Sequence, residues 1–485
     1  MSPRYRNVAV IGTGPSGISA VRALSEEKIF GSIRVFERRD QPGGLWHYDP
    51  QPDPFPGSAT EGNGTVGKNG RLNIPEKLPQ FTRPAHEDLS ARTAIYDSLD
   101  SNVGAEVMAF THTPIPQRNS AVSVERLGPA NPSRPFRVVS RYLQDLVEEY
   151  LPLISFNTTV EKVEKTVEKD RTPIWTLTLR RSGQTRQGEI LDYWWQEKFD
   201  GVVVASGHYN VPLIPDNIAG LEETAKSHAW VLEHSKAFRS ADNYVDKRVI
   251  VVGASISAAD LVSDLHSVVR GPLILSQRGG NEALDAAWTL PNVTRKPALK
   301  SITPDSPSTV RATFTDNSKV DHIDRIAFAT GYRLSYPFLS PDPVTFSNRL
   351  AGFYQHIFKI GDPSLAVVGQ VRGALSFRVY EYQAVAVARY FAGREASSLP
   401  SPHDQEKWEV KRLEYKGPSS LFHEIKPDFE EYFNFLKRFA GPAHPASDAY
   451  ELPDFDESWP AKAFAILQLK DTYWKRQGSQ SAAKL

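Results

Sequence analysis

Short apolar runs alternate with helical patterns along this chain. Residues 7–11 (NVAVI) are almost wholly apolar, residues 18–24 repeat apolar side chains at helical spacing, and residues 33–37 form a second run. A similar unit comprises residues 247–253, a helical pattern over 257–269 and a run at 272–276. Continuous apolar strands that alternate with amphipathic helices are typical of parallel sheets covered on both faces. The pattern therefore predicts an α/β protein with two βαβ units.

The first unit contains the sequence G-x-G-x-x-G between its strand and its helix. The first glycine permits a tight turn, the second allows backbone to approach a pyrophosphate, and the third allows helix and strand to pack closely. The helix N-terminus offers free N–H groups to phosphate. Glu37 lies 20 residues after the last glycine, where an acid can hold a ribose. The dinucleotide contacts predicted for this loop are Gly12, Gly14, Pro15, Ser16 and Gly17.

Two distant segments, 199–208 and 323–332, resemble each other at a constant offset of 124 residues. Both are apolar strands that end in small residues, which lets a bound dinucleotide approach the backbone. Such a pair indicates a domain inserted into another. We predict a first part of a dinucleotide-binding domain at 1–207, a second dinucleotide-binding domain inserted at 208–322, and the remainder of the first domain at 323–485 with C-terminal helices. The contacts predicted at the two strand ends are Ser206, Gly207, Thr330 and Gly331.

The second unit contains VVGASISAADL, in which two of the three fingerprint glycines are replaced. Gly253 is retained, Ser255 brings a hydroxyl that can donate to phosphate, and Ala258 is an accepted third residue. The next strand runs into Arg278 instead of an acid. An arginine can bind the 2′-phosphate of NADPH, whereas an acid would repel it. The sequence therefore favours NADPH over NADH.

Several of these segments resemble the flavin-containing monooxygenases, in particular a fungal and yeast-like branch. The E-x(5)-G-G-x-W run at 37–46, the Y-x-x-L-x-x-N run at 96–102, the G-x-[GS]-x-S-[GA]-x-D run at 253–260 and the ATGY and PFL blocks at 329–339 are similar to that family. The family's F-x-G-x-x-x-H motif is matched only in part, because His228 and Trp230 stand where Phe and Gly are usual.

This resemblance implies two Rossmann-like domains, with FAD on the first loop and NADPH on the second. It also implies that NADPH reduces the flavin, that O2 then forms a C4a-hydroperoxyflavin, and that an amine nitrogen or a sulfur attacks the distal oxygen. Asn102 is the implied catalytic residue, because its amide can hold NADP⁺ and the flavin peroxide in register. The further implied cofactor contacts are Glu37, Gly44, Leu45, Trp46, Ser101, Asn102, Val160, His234, Ser235, Gly253, Ser255, Ser257, Ala258 and Asp260.

Composition removes several alternatives. The chain has no cysteine, so it cannot pass electrons to a cysteine pair. This excludes the chemistry of the disulfide reductases, which also have two dinucleotide-binding domains. Lysine and arginine total 57, as do aspartate and glutamate, so no net charge attracts nucleic acid. The sequence predicts no transmembrane segment and no metal site. Two other functions stay open, a Baeyer–Villiger monooxygenase and a dinucleotide-binding sensor without turnover.

The expected partners are a small-molecule substrate and O2, and a homo-oligomer stays open. The chain ends in Ala483-Lys484-Leu485, which is similar to the peroxisomal Ser-Lys-Leu address. We therefore expect peroxisomal location through an import receptor, or else cytoplasmic location. Residues 477–485 are expected to form a flexible tail, and residues 51–70 a surface loop near the flavin site.

Overall fold

The structure is a computed structural model, and it describes residues 2–57, 73–85, 92–168 and 173–482. Within these ranges no helix is both long and apolar enough to cross a membrane. The α-helices are α1 (Pro15–Glu26), α2 (Ala105–Met108), α3 (Ala121–Leu127), α4 (Phe136–Val147), α5 (Leu221–Ser227), α6 (Ile256–Leu265), α7 (Asp285–Trp288), α8 (Ser376–Ala392), α9 (Pro402–Lys416), α10 (Phe429–Ala440) and α11 (Trp459–Ala482). The strands are β1 (Asn7–Ile11), β2 (Ser32–Phe36), β3 (Gln80–Thr82), β4 (Ile154–Ser155), β5 (Thr158–Val167), β6 (Pro173–Arg186), β7 (Glu189–Phe199), β8 (Gly201–Val204), β9 (Val211–Pro212), β10 (Leu232–His234), β11 (Val249–Val252), β12 (Leu273–Ser276), β13 (Val293–Lys296), β14 (Leu299–Pro304), β15 (Val310–Phe314), β16 (Lys319–Ile323), β17 (Arg325–Phe328), β18 (Tyr332–Arg333), β19 (Phe353–Tyr354), β20 (Phe358–Lys359) and β21 (Leu365–Val367).

The first sheet has the order β19-β20-β21-β8-β1-β2-β4, and it is parallel from β21 to β4. Its central strand β1 is buried on both faces. Val8 and Val10 pack into a core with α1, α4, α8 and α10, whereas Ala9 and Ile11 pack into a second core with the antiparallel strands β5–β7. This two-sided burial explains why β1 reads as an unbroken apolar run. The predicted α/β class is confirmed.

The second sheet has the order β10-β17-β11-β12-β13, and all its strands are parallel. Its central strand β11 alternates in the same way as β1. Val249 and Val251 face a core with α6 and α7, while Ile250 and Val252 face a core with β14–β16. Because β17 pairs with β11 in this sheet, residues up to Phe328 belong to it, and the boundary predicted at 322/323 falls too early.

The resemblance between 199–208 and 323–332 has a structural meaning. Strand β8 pairs with β1 in the first sheet, and β17 pairs with β11 in the second, at the same relative register. Just beyond them, β9 and β18 pair with each other as an antiparallel ribbon. The two chain crossings between the sheets therefore run side by side.

The last helix, α11, contacts both halves of the molecule. Trp459 and Ala463 belong to the core beside the first sheet, and Trp474 is buried in the core beside the second. The helix continues to Ala482, so the expected flexible tail from Gln477 is wrong over its described part. Trp474, buried in the second core just before this stretch, anchors the helix, which continues through Gly478. Ala483–Leu485 lie outside the described residues, as does the predicted surface loop from residue 58 onward.

Candidate active site

One cavity of about 3120 Å³ runs between the two sheets at the carboxyl ends of their strands. A pocket for a single small ligand measures roughly 300–1,000 Å³, so this cleft has room for more than one. The predicted site residues that line it are Gly12, Gly14, Pro15, Ser16, Glu37, Gly44, Leu45, Trp46, Ser101, Asn102, Val160, Ser206, Gly207, Ser235, Gly253, Ser255, Ser257, Asp260, Arg278, Thr330 and Gly331. Of the predicted set, Gly17, His234 and Ala258 do not line it.

The first loop is built so tightly that its glycines are needed for steric reasons. A Cβ on Gly17 would lie 1.9 Å from the Gly12 carbonyl oxygen, and one on Gly12 would lie 2.7 Å from the Ala205 oxygen. Gly17 therefore acts through packing, without facing the cavity. Helix α1 begins at Pro15 with Gly14 as its N-cap and no capping side chain, so its first turn is free to bind phosphate.

Glu37 is buried beside this loop at the end of β2. Its carboxylate accepts hydrogen bonds from the Thr13 backbone N–H (2.8 Å), the Thr13 hydroxyl (2.6 Å) and the Arg39 N–H (3.0 Å). A carboxylate has about four acceptor positions, so capacity remains for a ribose hydroxyl. Across the cleft, the buried hydroxyl of Ser206 has no hydrogen-bond partner among the described residues. A buried hydroxyl without a partner is costly, and a bound nucleotide would satisfy it. These residues fit FAD.

The second loop repeats this plan in a looser form. A Cβ on Gly253 would lie 2.5 Å from the Ala329 oxygen, which matches the contact between Gly12 and Ala205. Ser255 is the N-cap residue of α6, yet its hydroxyl makes no capping bond and stays available. Ala258 is fully buried against the sheet, which is the packing role predicted for it, and it does not line the cavity.

The charges around the second loop suit a phosphate-bearing nucleotide. Arg278 follows β12, is exposed to the cavity, and makes no ion pair or side-chain hydrogen bond within the described residues. Asp260 also lines the cavity, and Lys470 of α11 lies 2.6 Å from it. The lysine offsets a carboxylate that would otherwise repel phosphate. Lys470 lies 210 residues from Asp260, and nothing in the sequence pattern pointed to it.

Asn102 lies on a turn that is fixed by its neighbours and not by its own side chain. Ser101 exchanges hydrogen bonds with Arg134, because the Ser101 N–H donates to the Arg134 oxygen (2.8 Å) and the Arg134 N–H donates to the Ser101 hydroxyl (3.0 Å). On the other side, a Cβ on Gly104 would lie 2.4 Å from the Lys462 oxygen of α11. The Asn102 amide is exposed to the cavity and makes no protein hydrogen bond in the described chain, so it is available to a ligand.

Some residues in the region of the partial F-x-G-x-x-x-H motif line the cavity, and others lie outside it. Ser235 lines the cavity, whereas His234 is buried behind it and accepts a hydrogen bond from the Lys236 N–H. Burial lowers the pKa of His234 to about 4. His228 contacts the Ser306 oxygen and Trp230 is half exposed, so both pack outside the cleft. The departures from the motif thus leave the cavity unaltered.

The two chain crossings between the sheets are held together by Thr330 and Gly331, two of the residues predicted to contact cofactor. The Thr330 hydroxyl donates to the Leu213 oxygen (2.5 Å), and the Leu213 N–H donates to the Gly331 oxygen (2.9 Å). Arg239 closes the same region by donating to the carbonyl oxygens of Asp49 (2.7 Å) and Thr93 (3.0 Å). The first two contacts bind the two chain crossings to each other, and the Arg239 contacts tie the segment after β10 to Asp49 and Thr93.

Comparison with known proteins agrees with this geometry. The flavin-binding monooxygenase-like family model matches residues 77–293 and 281–445, and a model for an NAD(P)-binding Rossmann-like domain matches residues 10–59. The flavin-containing monooxygenase iboF of Amanita muscaria is 28% identical over 489 residues, covering 89% of this chain and 85% of that protein. The flavin-containing monooxygenase FMO GS-OX5 of Arabidopsis thaliana is 27% identical over 447 residues, covering 90% and 85%.

Among solved structures, the S-allyl-L-cysteine S-oxygenase from Allium sativum has the same fold. Its TM-score is 0.70 at 22% identity, and the match covers 99% of both chains. The family model spans well over half of the chain, and it agrees with the paired loops and the shared cleft. The chain therefore belongs to the flavin-binding monooxygenase-like family, and this membership implies FAD and NADPH as its cofactors.

Proposed function

We propose that the protein uses NADPH and O2 to add one oxygen atom to an amine nitrogen or a sulfur of a small molecule. The observation that carries this proposal is the position of Asn102, whose amide makes no protein hydrogen bond within the described residues and faces a cavity lined by both nucleotide loops. When bound, the flavin supplies the chemistry that accepts hydride from NADPH and passes electrons to O2. The protein then has to bind, orient and exclude water.

The chain's own residues suit that limited task. When the cofactors bind, the free N-terminus of α1 would hold a pyrophosphate and Glu37 a ribose, while Ser255 and Arg278 would hold phosphates of the second nucleotide. Asn102 can donate and accept hydrogen bonds without changing its charge with pH. Attack by a soft nucleophile requires no protein acid or base, so an amide suits this position better than a carboxylate.

The absence of cysteine removes one possible destination of the electrons. Reductases with paired nucleotide domains can pass electrons from flavin to a cysteine pair, and this chain has none to receive them. A small acceptor that enters the cleft is then needed, and O2 fits the family to which the chain belongs. NADPH is favoured over NADH because Arg278, which makes no ion pair within the described residues, lines the cavity just after β12, where an NADH-binding loop would carry an acid.

The test supplies NADPH, FAD-loaded protein and heavy-isotope O2 to three probes: thioanisole, N,N-dimethylaniline and cyclohexanone. Label in the sulfoxide or the N-oxide supports the proposal. Label only in the lactone would make the protein a Baeyer–Villiger enzyme. Oxidation of NADPH that yields hydrogen peroxide alone, or no oxidation at all, contradicts oxygenation of any of these classes.

Peroxisomal delivery is a separate proposal, and Ala483-Lys484-Leu485 is its support. A fluorescent protein that carries the last dozen or so residues should enter peroxisomes, and the same fusion without the final leucine should not. A uniform cytosolic signal from both fusions would contradict it.

A further inference from the structure

The cavity is lined by an arginine that belongs to neither nucleotide loop. Arg372 lies five residues after the end of β21, at the carboxyl edge of the first sheet, and it lines the cavity together with Tyr209 and Ser420. Its Nη1 donates to the Ser420 hydroxyl at 2.8 Å. No aspartate or glutamate of the described residues forms an ion pair with it, although 57 acidic residues are present in the chain. A half-buried arginine without a counterion points to an anionic ligand.

The surroundings of Arg372 place it beside the predicted flavin position. Gly369, three residues earlier, accepts a hydrogen bond from His208 at 2.9 Å, and a Cβ on Gly369 would lie 2.1 Å from the Ser16 hydroxyl. Trp46 and Phe377 pack edge to face on the other side, with ring centres 6.1 Å apart. Arg372 therefore lies in the part of the cleft that adjoins the first loop, on the side where α8 begins.

The arginine is held in place before any ligand arrives. The Arg372 N–H donates to the His423 oxygen (2.8 Å), and the Ile425 N–H donates to the Arg372 oxygen (3.1 Å). Nη1 is bound to Ser420 and the Tyr209 hydroxyl also hydrogen-bonds with the guanidinium, so the N–H groups that these two leave free can meet a planar anion. A side chain that is already ordered loses less entropy when it binds.

The neighbouring His208 adds no positive charge beside Arg372. Burial, with a smaller contribution from Arg372, lowers the pKa of His208 to about 4. The ring is neutral near pH 7, and its Nδ1 is bonded to the Gly369 oxygen. Arg372 thus presents its charge without a protonated histidine beside it.

We propose that Arg372 recognises a carboxylate on the substrate, so that the preferred substrates are small sulfides or amines that carry a carboxylate. This inference rests on the oxygenation proposed above. In the sulfide case, the substrate, O2, NADPH and one proton give the sulfoxide, water and NADP⁺. The carboxylate is unchanged in the reaction, and its contact with Arg372 orients the nucleophilic atom.

The experiment compares (phenylthio)acetate with its methyl ester, which present the same sulfur with and without a negative charge. The measured quantity is the ratio of kcat/KM for the acid to kcat/KM for the ester. Arg372→Met should lower this ratio roughly 10- to 100-fold, as expected for loss of a charge-assisted pair. Arg372→Lys should restore part of it, and Ser420→Ala should lower it by a smaller factor because the guanidinium loses its brace.

The outcomes separate this inference from the proposed function. If Arg372→Met slows both compounds equally, or lowers the bound FAD content, the arginine serves the cofactor and the inference is overturned. An unchanged ratio overturns it as well, while oxygenation itself still stands. If wild-type protein oxygenates neither compound nor thioanisole, the proposed function fails and the inference fails with it. A stronger effect on a phosphonate analogue than on the acid would replace carboxylate by phosphate recognition.

Discussion

Replacement of Arg278 by alanine tests how the second loop chooses its nucleotide. The side chain is exposed to the cavity and has no protein partner in the described chain, so its removal breaks no contact that holds the fold. Any effect should then come from the missing interaction with a 2′-phosphate. Hydrogen bonds to a charged group contribute roughly 1.5–3 kcal/mol, which corresponds to about a 10- to 150-fold rise in the KM for NADPH.

The assay measures steady-state NADPH and NADH oxidation with the same oxygen acceptor. NADH lacks the 2′-phosphate, so its KM should change by less than about twofold. Arg278→Lys should give an intermediate KM for NADPH, because it keeps the charge and loses the fork. Arg311→Ala is the matched control, since Arg311 is an exposed arginine of the same half of the chain that pairs with Asp321 away from the cavity. Equal effects on the two nucleotides would refute the reasoning.

Three further expectations follow from the site. Asn102→Ala should leave FAD content unchanged and divert NADPH oxidation to hydrogen peroxide, which peroxide and product assays can quantify; full coupling would contradict its role. Gly17→Ala should lose most bound FAD, measured as flavin per protein, because the added Cβ would meet the Gly12 oxygen at 1.9 Å; normal FAD content would show that the loop can relax. His208 and His234, with pKa values lowered to about 4, contribute stability that is present above pH 6.5 and lost as the pH falls. Between about pH 7.5 and about pH 5.5 each should cost about 1.4 kcal/mol of unfolding free energy, so His208→Gln should show a shallower decline in denaturant titrations; an identical slope would contradict the lowered pKa.

The features that could be predicted from the sequence are those determined over a short stretch. A glycine loop between a strand and a helix specifies β1, α1 and β2, and the same holds for β11, α6 and β12, although α6 ends at Leu265 and not near Val269. The repeat at offset 124 also located both hinge strands, because each must pack under its own loop glycine. These are local steric requirements, and they leave a pattern in the residues.

The features that could not be predicted depend on contacts between distant segments. Lys470 pairs with Asp260, and the Lys462 carbonyl lies against Gly104. Both contacts depend on the packing of α11, which the periodicity of the sequence does not predict. Phe55 is buried near Phe328 of the second sheet, although its segment is rich in proline and polar residues and resembles a surface loop. Trp230, at which the family motif is not matched, lies outside the cleft, and a motif match cannot show this position.

Helix α11 is synthesised after both sheets, and this order bears on how the two cores become linked. All strands of both nucleotide-binding sheets precede residue 368, so each sheet can form while the last helix is still being made. Trp459 and Trp474, which join the two cores, reach the molecule only at the end. The contacts by which α11 links the two cores can therefore form only after both sheets have been synthesised. A stop codon before Trp459 would leave every cavity-lining residue in the chain and remove this link between the cores.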